Sequence, residues 1–255
     1  MPNLDHLSYS SISSYLLCGH AWFLHYVQKV PVPTAPALVI GSAWHDTVEE
    51  HLRKGTDLGT AWGTAWRGQL ERNPDIAWEV GENANTMAAV GERMAAAKLV
   101  KDMLAGVSDN FDAEHGALER RVELHVPGVP IPVIGYIDII TKDGIAGDFK
   151  TAARMWSDAK AEGDLQSLFY LAALNQAGEA TPRWAFRHYV VSKTQSPAGK
   201  MFEVEHTPGQ MFWLFEMIES VWRAIDAEVY PKNYSTWKCG PKYCEYYPLC
   251  RGRYD

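Results

Sequence analysis

Residues 133–153 read VIGYIDIITKDGIAGDFKTAA, two β-rich runs joined by a turn at residues 142–144. Turn residues between two such runs predict a β-hairpin with a three-residue loop. In that register Asp138 lies opposite Asp148, with their β-carbons about 5 Å apart. A glycine bulge would instead shift the pairing by one residue. The hairpin therefore predicts two carboxylates at one place on a sheet.

Lys150 lies two residues after Asp148, and alternation along a strand puts both on the same side. Facing carboxylates repel unless a cation or a shared proton separates them. One interpretation is structural, with a buried Asp–Lys ion pair beside a solvated aspartate. The other is a site for Mg²⁺ or Mn²⁺, which binds one or two carboxylates, water and phosphate oxygens. Such a site suits phosphodiester hydrolysis.

Composition is that of an ordinary globular protein of 255 residues, with 47% hydrophobic residues and a net charge of -7. This length can bury the core of one large domain, or of one domain with an insertion. The first residues do not resemble a signal peptide, and no apolar run is long enough for a membrane span, so we expect a cytoplasmic protein with no membrane partner. Gly199 and Lys200 are followed by Met201, so a Walker A motif for ATP is absent.

The order of predicted elements is helices, hairpin, helix, strand pair and helix. Apolar residues at helical spacing predict one continuous helix over 10–27, with Cys18 near its middle. The same spacing predicts helices over 41–51, 57–72, 82–106, 164–178 and 207–228. Short β-rich runs begin near residue 117, and "RWAFRHYVVSK" with "KMFEVEH" predicts a second strand pair.

Positive charge is concentrated in two segments that also contain aromatic residues. Residues 181–200 hold Arg183, Arg187, Lys193 and Lys200 with no acidic residue, and residues 231–255 hold five basic residues against two acidic ones. Such segments are typical of a surface that contacts phosphates and stacks bases, or of a merely solvated face.

Three of the four cysteines, Cys239, Cys244 and Cys250, lie close together near the end of the sequence, whereas Cys18 lies near its start. In a reducing cytosol, clustered thiols indicate a metal site or buried thiols more than disulfides.

Five motifs in order carry a resemblance to a known family. They are "SSISSYLLCGHAWF", "GSAWHD", "GYIDII" followed by "GDFK", "QSLFY" and the cysteine-rich tail. Together they resemble the PD-(D/E)XK nucleases, in particular the RecB/AddB-like iron–sulfur exonuclease branch, which includes the CRISPR-associated exonuclease family and phage relatives. The resemblance covers nearly the whole chain.

The resemblance implies an α/β fold with a restriction-endonuclease-like core, in which helices flank a central mixed β-sheet. It implies a single nuclease domain over 1–255, with a helical insertion at about 42–106. An iron–sulfur staple formed by residue 18 and residues 239–250 would join the N- and C-terminal regions.

Matching positions imply a role for each site residue. His45, Asp138 and Asp148 would bind Mg²⁺ or Mn²⁺, and Lys150 would be the catalytic lysine. Gln166 and Tyr170 are four residues apart on one helical face, and would border the site and contact substrate or Lys150. Either Glu119 or Glu123 could add a carboxylate. The histidines that match no motif are His20, His25, His51, His125 and His188.

Cys18, Cys239, Cys244 and Cys250 would hold a 4Fe–4S cluster. Two departures from the family pattern concern this cluster: Gly19 stands where proline is common, and four residues rather than two separate Cys239 from Cys244. A four-cysteine zinc site and unligated thiols are the alternatives.

The resulting functional hypothesis is a metal-dependent DNA exonuclease acting on single strands or duplex ends, in recombination, repair or phage DNA metabolism. Helicase or recombination proteins would be its partners. The alternatives are a non-catalytic DNA-end-binding subunit of a recombination or spacer-acquisition complex, and a zinc-stapled interaction module.

Overall fold

The computed structural model describes residues 4–112, 114–179 and 181–251. The chain divides into two compact units, which we call the terminal unit (1–32, 122–135 and 208–255) and the central unit (33–121 and 136–207). Arg253 and Asp255 of the predicted basic tail lie outside the described residues.

Helices and strands are numbered in chain order. The helices are α1 (Tyr9–Leu17), α2 (Gly19–Trp22), α3 (Pro36–Lys54), α4 (Leu58–Arg72), α5 (Ala84–Ala96), α6 (Lys98–Asp109), α7 (Asp158–Glu162), α8 (Leu165–Gln176), α9 (Gln210–Asp226) and α10 (Tyr247–Cys250). The strands are β1 (Leu7–Ser8), β2 (Ala117–Leu124), β3 (Val133–Ile140), β4 (Ala146–Ala152), β5 (Ala185–Ser192) and β6 (Gly199–Glu205).

Strands within the described residues form a mixed sheet of order β1-β3-β4-β5-β6, with β2 paired to β3. The β1–β3 and β4–β5 pairs are parallel, whereas β3–β4 and β5–β6 are antiparallel. Helices α3, α6, α7 and α8 contact strands β4 to β6. The prediction of a mixed sheet flanked by helices is confirmed.

The β3–β4 hairpin has the predicted register. Ile139 pairs with Gly147 and Ile140 with Ala146, which places Asp138 opposite Asp148. In the loop Gly144 has a φ of +77°, a left-handed conformation that glycine adopts without steric cost. The alternative register, shifted by one residue through a glycine bulge, is therefore not the one adopted.

The prediction of one continuous helix over 10–27 is wrong. Helix α1 ends at Cys18, whose backbone is extended, and α2 and a π-helical turn, Phe23–Val27, follow. The interruption brings Gly19 against the tail, where a β-carbon would lie only 2.7 Å from Cδ of Pro231. The His20 amide then donates to the Pro231 carbonyl at 3.1 Å. A side chain at position 19 would obstruct this contact, which explains glycine there.

Helices α3 to α6 build the core of the central unit, and the predicted helix over 82–106 is instead two helices, because the backbone of Ala97 between α5 and α6 is extended. Trp44 and Trp62 are almost completely buried, and Trp62 donates its indole N–H to the Ala88 carbonyl at 3.1 Å. Replacing a tryptophan of this kind by alanine typically costs about 3–5 kcal/mol. Because α3 faces this core with Trp44, its neighbour His45 is directed toward another surface.

Helix α9 of the terminal unit confirms the predicted amphipathic helix over 207–228. Its buried residues recur at helical spacing: Leu214, Ile218, Val221, Trp222 and Ile225. Across the described part of the chain, no helix combines the length and apolar character needed to cross a membrane.

Candidate metal and catalytic site

The hairpin carboxylates are buried, with 8% of Asp138 and 2% of Asp148 exposed. Oδ2 of Asp138 accepts a hydrogen bond from the Phe149 amide at 2.6 Å, so the hairpin backbone holds the carboxylate in place. Nζ of Lys150 lies 2.7 Å from Oδ2 of Asp148. The two carboxylates and the lysine thus lie together, as the hairpin register requires.

Lys150 is held by a chain of hydrogen bonds from α8. Its ammonium donates to Oε1 of Gln166 at 2.6 Å, and the Gln166 amide donates to the Tyr170 hydroxyl at 2.9 Å. Tyr170 in turn donates to the Tyr136 carbonyl at 2.6 Å. At the start of α8, the Asp164 carboxylate accepts a hydrogen bond from the backbone N–H of Gln166 at 3.1 Å and caps the helix. Gln166 and Tyr170 therefore contact Lys150, directly and through Gln166 respectively, and hold its ammonium in place.

Burial and charge set the protonation states of this group. Burial raises the pKa of Asp148 above its ordinary value, although the Lys150 charge opposes the shift. Burial alone would lower the pKa of Lys150, but the charge and hydrogen bond of Asp148 raise it. The pKa of Tyr170 is raised by burial and by the Asp148 and Asp138 charges. Lys150 is therefore an ammonium and Tyr170 a neutral hydroxyl near neutral pH.

A group of metal-ligand atoms lies beside this network. His45 from α3, Glu119 from β2 and Asp138 from β3 each offer one atom, and these atoms lie within 4.8 Å of one another. Nδ1 of His45 is 3.3 Å from Oδ2 of Asp138. Carboxylate oxygens with one imidazole nitrogen suit Mg²⁺ or Mn²⁺. Asp148, also expected as a ligand, lies outside this group and faces Lys150 instead.

The sequence left open whether Glu119 or Glu123 adds a carboxylate to the site, and the structure places Glu119 there. Glu123 pairs with His125 at 3.5 Å. Glu119 has a φ of +53°, a left-handed conformation rare for a residue with a β-carbon and costing roughly 1–3 kcal/mol. The strained backbone is at a candidate metal ligand. The alternation of residues along a strand does not predict the left-handed backbone of Glu119.

Two of the candidate metal donors, Glu119 and His45, have raised pKa values. Glu119 is exposed, but partial loss of its hydration, reinforced by the charges of Asp138 and Glu49, raises its pKa to about 7. Burial alone would lower the pKa of His45, but the hydrogen bond and charge of Asp138 raise it to about 9. Without a metal, His45 is therefore an imidazolium paired with Asp138.

His188 was one of the histidines without a motif. It is completely buried in β5, where it pairs in register with Asp148, and its ring lies 5.3 Å from Trp156 and 5.1 Å from Phe186. Burial lowers its pKa. His188 therefore has a structural role, as a neutral imidazole packed between two aromatic rings. Among the other histidines, His25 contacts the Tyr246 hydroxyl and His51 the Thr56 carbonyl.

The four cysteines line one cavity of about 680 Å³ in the terminal unit. All four are free and half-buried, and burial raises the pKa of the Cys244 thiol. Among the described residues their sulfurs do not form a group as compact as the His45 group. The tail is joined to the first helices by hydrogen bonds, including Asn233 to the Leu17 carbonyl at 3.0 Å and Tyr15 to the Val229 carbonyl at 2.5 Å. The cavity thus brings Cys18 to the tail cysteines.

The basic segment 181–200 is largely neutralised within the central unit. Arg183 pairs with Glu203 and Glu205, and Arg187 pairs with Asp143 and Glu203, all at 2.7–2.9 Å. Contact of this segment with DNA stays a prediction, but its two arginines already have carboxylate partners.

Comparison with known proteins addresses the family. The model of the PD-(D/E)XK nuclease superfamily matches residues 6–251. A crystal structure described as "Putative exonuclease" from Eubacterium rectale is 14% identical, with 91% of this chain and 85% of that chain covered and a TM-score of 0.58. The crystal structure of SSO0001 is 13% identical over 96% of each chain, with a TM-score of 0.38, too low to indicate a shared fold. A search of curated proteins finds no match to this sequence. Because the family match spans nearly the whole chain, this chain belongs to the PD-(D/E)XK nuclease superfamily.

Proposed function

We propose that this nuclease is a Mg²⁺- or Mn²⁺-dependent deoxyribonuclease, an exonuclease that hydrolyses phosphodiester bonds of single-stranded DNA or duplex ends. The observation that carries the proposal is the convergence of His45, Glu119 and Asp138 beside the Asp148–Lys150 pair. The exonuclease description of the similar Eubacterium rectale protein supports the mode of attack. Recombination, repair and phage DNA metabolism are the processes that need such an enzyme.

The donor set fits a hard divalent cation, since it combines carboxylate oxygens with one imidazole nitrogen. His45, Glu119 and Asp138 would hold the ion, and the family motif adds Asp148 as a ligand. When bound, the ion supplies Lewis-acid polarisation of the phosphoryl group and a lower pKa for water.

Lys150 supplies the positive charge of the protein itself. Its ammonium is fixed by Asp148 and by Gln166, so it needs little rearrangement to stabilise negative charge that develops on the phosphate or to orient the attacking water. Tyr170 fixes the Gln166 amide and acts as a positioning residue.

We further propose that Cys18, Cys239, Cys244 and Cys250 hold a structural 4Fe–4S cluster, as in the RecB/AddB-like iron–sulfur branch. The shared cavity and the four free thiols support it, because a cubane needs four thiolates. Zinc is the alternative occupant of four cysteines.

The test is digestion of end-labelled single-stranded and duplex DNA with Mg²⁺ or Mn²⁺, compared with circular single-stranded DNA. Wild-type protein should shorten linear DNA and leave circles intact, while Asp148→Ala should be inactive. Asp226→Ala, an exposed aspartate at the end of α9, is the matched control and should digest normally. Tight DNA binding without digestion would support a non-catalytic end-binding subunit instead, and cleavage of circles would exclude a strict exonuclease.

A further inference from the structure

A cleft of about 560 Å³ contains the candidate metal donors and extends beyond them along α3 and α4. His45, Glu119 and Asp138 line one part of it, and Gln69 and Arg72 of α4 line another. The proposed chemistry uses the first part only. The second part combines an exposed guanidinium with a set of hydrogen bonds that fix its position.

The charges around this cleft are unfavourable for a polyanion. Four carboxylates line it, those of Asp46, Glu49, Glu119 and Asp138. Among the described residues that line the cleft, Arg72 is the only lysine or arginine. A bound divalent ion would compensate one phosphate of a nucleic acid strand. A neighbouring phosphate in the same cleft would need a further cation, and Arg72 is in place to provide it.

Arg72 is fixed from beneath by Asp46. Nη2 of Arg72 lies 2.6 Å from Oδ2 of Asp46, and the same oxygen accepts a hydrogen bond from the Gln69 amide at 2.8 Å. Gln69 is buried, and its carbonyl oxygens accept the Asn73 amide at 2.9 and 3.3 Å. Asp46 directly follows His45 on α3. The guanidinium therefore has a position defined relative to a metal donor.

Arg72 also has capacity to bind a ligand. Its side chain is 61% exposed, and among the described residues its guanidinium pairs with Asp46 through Nη2. An arginine has five N–H donors in a planar fork, so Nε and Nη1 are left for the oxygens of a phosphate. An ion pair this exposed contributes little to stability, which weakens a purely structural explanation.

We propose that Arg72 binds one backbone phosphate of a nucleic acid strand. This phosphate would neighbour, along the strand, the phosphate that lies at the metal centre. This inference rests on the proposed nuclease function and assigns a substrate contact within the same cleft. Asp46 and Gln69 are its positioning residues. A single phosphate contact of a single strand contributes about 0.7 to the slope of log affinity against log salt, or about fivefold in affinity at 0.1 M relative to 1 M salt.

The experiment measures binding of a labelled single-stranded oligonucleotide over a salt series, in a Lys150→Ala background that prevents digestion. Arg72→Gln should weaken binding about fivefold near 0.1 M salt and reduce the salt slope by about 0.7. Arg67→Gln, an exposed arginine on the same helix that does not line the cleft, should change neither value. Arg72→Lys keeps the charge and should keep the slope.

In the digestion-competent protein, Arg72→Gln should raise KM by a similar factor with little change in kcat. Mn²⁺ affinity and Tm should equal those of wild type. If Arg72→Gln binds like wild type with an unchanged slope, or if it lowers Tm and Mn²⁺ affinity together with DNA binding, the inference is overturned and the nuclease function stands. Loss of the slope in Arg72→Lys would also overturn it. Wild-type protein that neither binds nor digests DNA would overturn both.

Discussion

Asp148 and Lys150 form an ion pair with very unequal burial. Their Oδ2 and Nζ atoms are 2.7 Å apart, and the side chains are 3% and 25% exposed, respectively. A buried carboxylate is costly unless a cation compensates it, and the ammonium of Lys150 provides that compensation for Asp148. In the proposed function, Lys150 would present the positive charge of this pair to the substrate, while Asp148 stays inside the protein.

The first prediction separates the two partners. Asp148→Ala should abolish cleavage and weaken Mn²⁺ binding, while Lys150→Ala should abolish cleavage and retain Mn²⁺ binding, since it removes a positive charge near the ion. Loss of either partner of a buried pair can cost roughly 3–5 kcal/mol, so Tm is measured beside activity and metal titration. Normal digestion by both variants would remove the pair from the mechanism.

The second prediction concerns Tyr170, which acts through Gln166 and Lys150. Tyr170→Phe removes the hydroxyl that accepts from Gln166 and donates to the Tyr136 carbonyl. A buried hydrogen bond is worth about 1 kcal/mol, so kcat should fall about fivefold with little change in KM. Tyr234→Phe, at an exposed tyrosine, is the control. A change in KM alone would indicate that Tyr170 contacts substrate rather than positioning Lys150.

The third prediction is the pH dependence of metal binding. The pKa values of both His45 and Glu119 are raised, to about 9 and about 7, so these groups keep their protons to higher pH than usual. Because the ion must displace those protons, Mn²⁺ affinity should rise from about pH 6 to about pH 9, by up to about tenfold per unit for each proton released. Calorimetry in buffers of different ionisation enthalpy measures the release.

Variants of His45 and Glu119 test which side chain releases each proton when the metal binds. His45→Gln should abolish the rise between about pH 7 and about pH 9, whereas Glu119→Gln should halve its steepness below about pH 7, since each removes one titrating donor. An affinity independent of pH in wild-type protein would exclude coordination through these two side chains.

The fourth prediction concerns the cysteines. Protein purified without oxygen should be brown and contain about four irons and four sulfides per chain. Cys18→Ala should lose the colour as completely as Cys244→Ala and lower Tm, because ligation closes a loop of most of the chain, worth up to about 5 kcal/mol in the entropic description. Nuclease activity should be less affected than Tm, since the hairpin carboxylates belong to the central unit.

Metal analysis decides between occupants of the cysteine cavity. Zinc without iron would indicate a four-cysteine zinc site. A fully iron-loaded Cys18→Ala protein would show that the tail does not bind its cluster through the first helices.

Local chemistry in the sequence was sufficient for the hairpin and for much of the fold. The loop at residues 142–144 favours the register that places Asp138 opposite Asp148 over one shifted by a glycine bulge, and the structure has the favoured register. The spacing of Gln166 and Tyr170 likewise places both on one face of α8. These features depend on a few neighbouring residues and on the fixed periods of strands and helices.

Only the tertiary structure decided the rest, because it depends on contacts between distant segments. Glu119 rather than Glu123 lies beside His45 and Asp138, and the break at Cys18 occurs where Gly19 packs against Pro231. The partners of Arg183 and Arg187 come from other strands and loops. The sequence by itself determined which groups could do the chemistry, since that is local. The packing of α3 and α4 decided which charges surround them, and no periodicity along the chain encodes that packing.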